Sequence, residues 1–91
     1  MQPKAGDLYQ HFKGNFYLVV GVGKHSETLE EMICYKSLAD DSLWFRPLSM
    51  WDEEIERDGK KFKRFSKVKF HSRSEARRVH AQMGLDPPAF D

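Results

Sequence analysis

The chain has 91 residues, of which 40% are hydrophobic and 13% aromatic. This length allows one modest core and excludes two ordinary domains, and the apolar content excludes a disordered chain. The formal net charge is only +1, but the charges are unevenly distributed along the chain. Residues 1–59 contain six Lys and Arg residues and 11 Asp and Glu residues, whereas residues 60–78 contain nine Lys and Arg residues and one Glu. A basic segment therefore follows an acidic body.

No segment of the sequence is suited to a membrane. The longest apolar stretch, residues 16–22, is far shorter than the roughly 20 residues that a spanning helix requires. The first residues lack the apolar run of a secretory signal. Cys34 is the only cysteine, which excludes an intramolecular disulfide and is typical of a reducing compartment. These features predict a cytoplasmic protein with no membrane partner.

The first half of the chain predicts antiparallel strands. Residues 8–12 and 16–22 are rich in aromatic and β-branched side chains and flank the turn-forming residues 13–15, which is typical of a hairpin. The second of these strands is apolar on both faces, so we expect it at the centre of a sheet. Two further strands are expected over residues 32–37 and 43–46.

The second half predicts less β structure and ends in a helix. Ser49 stands where it would cap a short helical turn, and one more strand is expected within residues 61–68. Ser72 and Glu75 have the spacing of a capping box, which predicts a helix over residues 73–83. Several short strands followed by one helix favour a mainly β fold, a small antiparallel barrel with a short C-terminal α-helix.

An ordered series of residues resembles a known family. The series is Gly6-Asp-x-Tyr9-x-His11-x-Lys13-Gly14-x-x-Tyr17, Gly21-Val-x-Lys-His25-Ser26-Glu27-Thr28, Leu43-Trp-x-Arg46-Pro47-Leu48-x-Met50-Trp51, Gly59 and Arg64-Phe65. It is similar to the small bacterial family called domain of unknown function 1653 and spans about residues 6–66. The resemblance implies an SH3-like barrel, which would occupy residues 1–70, with residues 71–91 as a helix and tail packed on or beside it. The family brings no activity, ligand or catalytic residue, and Trp51 stands where phenylalanine is expected in relatives.

The loop Lys24-His25-Ser26-Glu27-Thr28 is the candidate ligand site. It combines an amine, an imidazole, a carboxylate and two hydroxyls, and loops held by rigid strands often carry binding sites. With Arg46 as a further donor, the loop predicts a pocket for a polar or anionic ligand or a protein partner. Trp44 or Trp51 would form its apolar wall. The alternative is that the loop hydroxyls only make local hydrogen bonds that hold its shape.

A catalytic function has one candidate, a small hydrolase centred on His25 and Glu27. Neighbours in an extended loop point to different sides, so Ser26, His25 and Glu27 are not expected to align as nucleophile, base and orienter. The four histidines show no His-x-x-x-His or Cys–His spacing. We therefore predict neither a metal site nor a cofactor.

The basic segment supports a different hypothesis, a nucleic-acid-binding adaptor. Cations that alternate with aromatic rings are typical of a surface that follows a phosphate backbone. The residues involved are Lys60, Lys61, Lys63, Arg64, Lys67, Lys69, Arg73, Arg77 and Arg78. The opposing interpretation is a solvated surface in which these cations pair with Glu53, Glu54, Glu56 and Asp58.

Overall fold

The computed structural model describes residues 2–86, which form two antiparallel sheets and one α-helix. The elements are β1 (Leu8–His11), β2 (Phe16–Lys24), β3 (Glu31–Ser37), β4 (Leu43–Pro47), a 3₁₀ turn η1 (Leu48–Met50), β5 (Glu54–Arg57), β6 (Lys60–Lys63), β7 (Phe65–Lys67) and α1 (Arg73–Gln82). The larger sheet has the order β4-β3-β2-β1-β7, and β5 pairs with β6. The predicted mainly β class with a short C-terminal helix is confirmed.

The hairpin of β1 and β2 follows from the local sequence. Gly14 has a φ of 106°, a conformation that glycine adopts without the steric penalty of a side chain. Its N–H donates to the carbonyl of His11 at 2.8 Å. The hairpin then places Tyr9 opposite Tyr17. As the apolar pattern on both of its faces predicted, β2 lies at the centre of the larger sheet.

The larger sheet curves without closing. Strands β4 and β7 are its two edges, so the described strands do not complete a barrel by hydrogen bonding. The curvature nevertheless brings the edges together, because the guanidinium carbon of Arg46 in β4 lies 5.7 Å from the ring centroid of Phe65 in β7. The inside of this curve is called the front face below.

The core lies on the front face and is largely aromatic. It comprises Tyr9, Val19, Ile33, Tyr35, Trp51 and Phe65. The indole of Trp51, which follows η1, stacks on Phe65 with centroids 4.2 Å apart and planes 11° apart. The same indole contacts Tyr9 at 5.1 Å and Tyr35 at 5.0 Å. One side chain from outside the sheet thus joins three of its strands.

Three details differ from the expectation, the first being β5, where no strand was predicted. The strand expected within residues 61–68 is two strands, because β6 pairs with β5 whereas β7 pairs with β1, and the chain changes partner at Arg64. The predicted cap at Ser49 is wrong. The 3₁₀ turn begins one residue earlier, with Pro47 in the capping position and no side-chain cap hydrogen bond.

The predicted C-terminal helix is present as α1. Ser72 Oγ accepts a hydrogen bond from the Glu75 N–H at 3.1 Å, which satisfies one free donor of the first turn. Met83, just after α1, lines a depression of about 350 Å³ together with Phe16 and Leu38. No helix among residues 2–86 has the length and apolarity to cross a bilayer. The division at residue 70 stays a prediction, and residues 87–91 of the expected tail lie outside the described part.

Candidate functional site

The loop over residues 24–28 is held by hydrogen bonds of its own. His25 Nδ1 accepts the backbone N–H groups of Glu27 at 3.1 Å and Thr28 at 3.3 Å. Thr28 Oγ1 accepts the Glu30 N–H at 3.2 Å, and all of these residues are exposed. Among the described residues, no hydrogen bond joins the side chains of Ser26, His25 and Glu27, the contact that a nucleophile and its base require.

Arg46 does not join this loop. It pairs with Ile33 in the register of β3 and β4, two residues along β3 from Glu31, which pairs with Lys24 at the end of β2. The Arg46 side chain instead extends across the front face to Phe65. The pocket that the sequence predicted from the loop and Arg46 together stays a prediction.

The two tryptophans have opposite environments. Trp51 is 1% exposed and packs the core instead of lining a pocket. Trp44 is 54% exposed, and its Nε1 donates to Ser42 Oγ at 2.8 Å. Trp44 lies on the same face of β4 as Arg46, because side chains two residues apart in a strand share a face. Trp44 is thus the tryptophan available to a ligand near Arg46.

The front face brings together His11, Tyr17, Arg46 and Phe65, which are called the arginine–histidine site. The ring centroid of His11 lies 5.1 Å from that of Phe65 and 6.2 Å from that of Tyr17. Tyr17 and Phe65 are 5.6 Å apart. The guanidinium of Arg46 lies over the same phenyl ring, at a distance typical of a cation–π contact. The ring of Phe65 therefore contacts both the imidazole of His11 and the guanidinium of Arg46.

The neutral imidazole of His11 has a defined tautomer. Its Nδ1 accepts the backbone N–H of Lys13 at 3.2 Å, so the proton of the neutral ring lies on Nε2. Burial lowers the pKa of His11, and the positive charges of Arg64, Lys13 and Arg46 lower it further. At neutral pH, His11 is consequently an uncharged hydrogen-bond donor among cations.

Arg46 differs from its neighbour Arg64 in its partners. Arg64 donates through Nε and Nη2 to Glu53 Oε1, at 3.2 and 2.9 Å. Arg46 is also half-buried, yet no ion pair among residues 2–86 includes it. Its Nε is buried and has no hydrogen-bond partner within the same residues. Buried arginines are normally paired, and no described hydrogen bond or ion pair uses the terminal nitrogens of Arg46. These nitrogens are the donors that an acceptor from outside would meet.

Sequence reasoning named Arg46 but missed His11 and Tyr17 as site residues. All three, with Phe65, belong to the series that carries the family resemblance, and the fold collects them at one place. The model of a family described as "Protein of unknown function (DUF1653)" matches residues 7–67. The chain belongs to the DUF1653 family. All four residues of the arginine–histidine site lie within the matched range, whereas α1 lies after it.

A solved structure supports this assignment. The chain is similar to the crystal structure of a DUF1653 protein from Bordetella bronchiseptica, with 28% sequence identity and a TM-score of 0.65. The alignment covers 79% of this chain and 96% of the other. No curated protein matches the chain.

The basic segment of this DUF1653 protein is opposed by acidic residues. In the β5–β6 hairpin, Glu54 lies opposite Lys63 and Glu56 lies opposite Lys61. Directly opposed residues of an antiparallel pair share a face, where opposite charges attract. The nine predicted cations are also divided among several elements. Lys60, Lys61 and Lys63 lie in β6, Arg64 between β6 and β7, Lys67 in β7, Lys69 after β7, and Arg73, Arg77 and Arg78 on α1.

Metal-ligating side chains do not cluster in the described part of the chain. Among residues 2–86, no three His, Cys, Asp or Glu side chains lie close enough to hold a metal ion. The arginine–histidine site itself combines one imidazole with cations and aromatic rings. Its chemistry suits an anion, because hydrogen-bond donors outnumber acceptors there.

Proposed function

We propose that this DUF1653 protein is a non-enzymatic binding module for a small anionic ligand held at the arginine–histidine site. The observation that carries the proposal is Arg46, a half-buried guanidinium supported by Phe65 without a carboxylate partner among residues 2–86. A planar guanidinium with unused donors matches the geometry of a carboxylate or a phosphate group.

The neighbours of Arg46 define the rest of the ligand. The Nε2–H of His11 supplies a neutral donor, and Arg64 and Lys13 add positive potential around it. Tyr17 and the exposed ring of Trp44 lie on the same face. A planar group attached to the anion would stack on such rings. The ligand class that fits is therefore an aromatic carboxylate rather than a bare ion.

The rival functions have less support. The hydrogen bonds within the loop over residues 24–28 favour a structural role for it at the end of the β2–β3 hairpin. The absence of side-chain hydrogen bonds linking Ser26, His25 and Glu27, in the described structure, gives the hydrolase no assembled machinery. The acidic residues opposite β6 reduce the field that a nucleic acid would meet.

The test is a titration followed by NMR, with benzoate as the probe and acetate as its counterpart without a ring. Signals of the Arg46 Nε–H and of the His11 ring report on the site directly. We expect benzoate to shift both and to bind more tightly than acetate, because only benzoate can stack on Trp44 and Tyr17.

Three variants test whether Arg46 binds the carboxylate of benzoate. R46Q is expected to weaken benzoate binding about tenfold or more, since a hydrogen-bonded charge pair is lost. R46K keeps the charge but loses the planar fork and is expected to fall between R46Q and the unchanged protein. R57Q is the matched control, because Arg57 is exposed and lies in β5 over Phe12. Equal affinity in R46Q and R57Q, or silent Arg46 and His11 signals, would overturn the proposal.

A further inference from the structure

A second basic feature lies beside β7, and Arg46 is not among the residues that line it. A cleft of about 440 Å³ opens between β7 and the chain on either side of the β5–β6 hairpin. Its lining includes Tyr9, Asp52, Lys63, Ser66, Lys67 and Lys69, and it is called the lysine cleft below. This volume is within the range of small-molecule sites, roughly 300–1,000 Å³.

The charges of the lysine cleft are mostly positive. Three ammonium groups line it against the single carboxylate of Asp52. Lys63 Nζ lies 3.7 Å from that carboxylate, and Lys67 Nζ lies 3.7 Å from Asp7. Both separations exceed a normal hydrogen-bond length of about 2.7–3.2 Å. No ion pair among residues 2–86 includes Lys69. Each ammonium therefore retains donors for another group.

Uncharged groups complete the lining. The phenol of Tyr9 is mostly buried, and burial raises its pKa, so it keeps its proton at neutral pH. Ser66 and Phe65, neighbours in β7, are also among the residues that line the cleft. The cleft thus presents three cations against one carboxylate, beside the buried aromatic residues Tyr9 and Phe65.

We propose that the lysine cleft binds a phosphate monoester. Lysine ammoniums act as point charges that approach a phosphate from different directions, which suits its several oxygens and double charge. A phosphate group alone fills only a small part of about 440 Å³, so the remaining space accommodates the organic part of the ester. This site does not depend on the proposed function, since it shares only the supporting ring of Phe65 with the arginine–histidine site.

The experiment uses phenyl phosphate as the probe, with binding followed by NMR at fixed ionic strength. We expect the amide signals of Tyr9, Ser66 and Lys67 to shift. K69Q is expected to weaken binding at least fivefold, and K67Q should act in the same direction. K60Q and K61Q are the matched controls, because these exposed lysines belong to the same basic segment but lie outside the cleft.

A variant that strengthens binding serves as a further test, because loss of folded protein could only weaken binding. D52N removes the one carboxylate of the cleft and is expected to tighten phenyl phosphate binding two- to fivefold. R46Q is expected to leave the phenyl phosphate shifts of the cleft amides unchanged, so failure of the arginine–histidine site is distinguished from failure of the cleft. Equal losses in K69Q and in K60Q would show only diffuse attraction and would overturn the proposal. Unshifted cleft amides, or no gain in D52N, would also overturn it.

Discussion

At the scale of single residues, His11 couples the charge of the arginine–histidine site to pH. Its pKa is lowered first by burial and then by Arg64, Lys13 and Arg46. The unfolded chain restores a value of about 6.5. Between the folded pKa and about 6.5, the unfolded state binds more protons than the native state. The free energy of unfolding therefore increases with pH through this window, and His11 lowers it as the pH falls.

The first prediction concerns this titration. An NMR titration of the His11 ring is expected to give a pKa below about 6.5 in the free protein. Saturating benzoate should raise that pKa, because a nearby anion favours the imidazolium. In H11N, the free energy of unfolding should fall less steeply on acidification. A His11 pKa at or above the peptide value would contradict the prediction.

Which residues meet at the site could be predicted only in part. Trp44 and Trp51 look alike in the sequence, since each directly follows an apolar residue, Leu43 or Met50. Their opposite burial depends on β4 being an edge strand and on Trp51 following a turn that folds over the sheet. His11 and Arg46 are distant in the chain and meet only because the sheet curves. Local patterns contain no information on either long-range contact.

At the scale of elements, the turns depend on backbone conformations that side chains disfavour. Asp58 and Gly59 connect β5 and β6 with φ values of 53° and 76°, as in a two-residue type I′ turn. A Cβ added at Gly59 would meet no atom within 4 Å. Any cost of a substitution there is consequently a cost of the backbone conformation alone.

The second prediction uses this turn. G59A is expected to lower the free energy of unfolding by about 1–2 kcal/mol, because a positive φ penalises a Cβ. Gly23 in β2 is the matched control, since its surroundings are equally open and its φ is not positive. G23A should leave stability the same or slightly higher. Urea denaturation of both variants checks the pair, and equal losses would refute the argument.

Elements defined by local signals were predictable, whereas those defined by distant partners were not. The β1–β2 hairpin and α1 each have turn or capping residues next to an apolar pattern, and both are where the sequence placed them. Strand β5 was missed because its charged residues show little alternation of polarity. The split between β6 and β7 was missed because it arises from a change of pairing partner at Arg64.

At the scale of the whole molecule, Trp51 connects the chain after η1 to the front face of the larger sheet. Its indole contacts Tyr9, Tyr35 and Phe65, which belong to β1, β3 and β7. Aromatic pairs in such arrangements contribute beyond the area that they bury. The stability of the open sheet, and with it the position of Phe65 under Arg46, therefore depends on this one ring.

The third prediction follows from that position. W51A is expected to lower the free energy of unfolding by about 3–5 kcal/mol, through lost burial and the cavity left behind. W44A, which removes an exposed ring of the same type, should lower it by less than about 1 kcal/mol. Chemical denaturation monitored by circular dichroism measures both. Similar losses in the two variants would show that Trp51 has no special role in the core.

The opposite environments of the two tryptophans also give the molecule two separate fluorescent reporters. Trp51, stacked on Phe65 and shielded from water, should emit at shorter wavelength and escape quenching by iodide. Trp44, exposed at a sheet edge beside Arg46, should emit at longer wavelength and respond to iodide. Light from one indole therefore reports on the integrity of the core, and light from the other reports on events at the surface. Both signals come from the native chain without an attached dye.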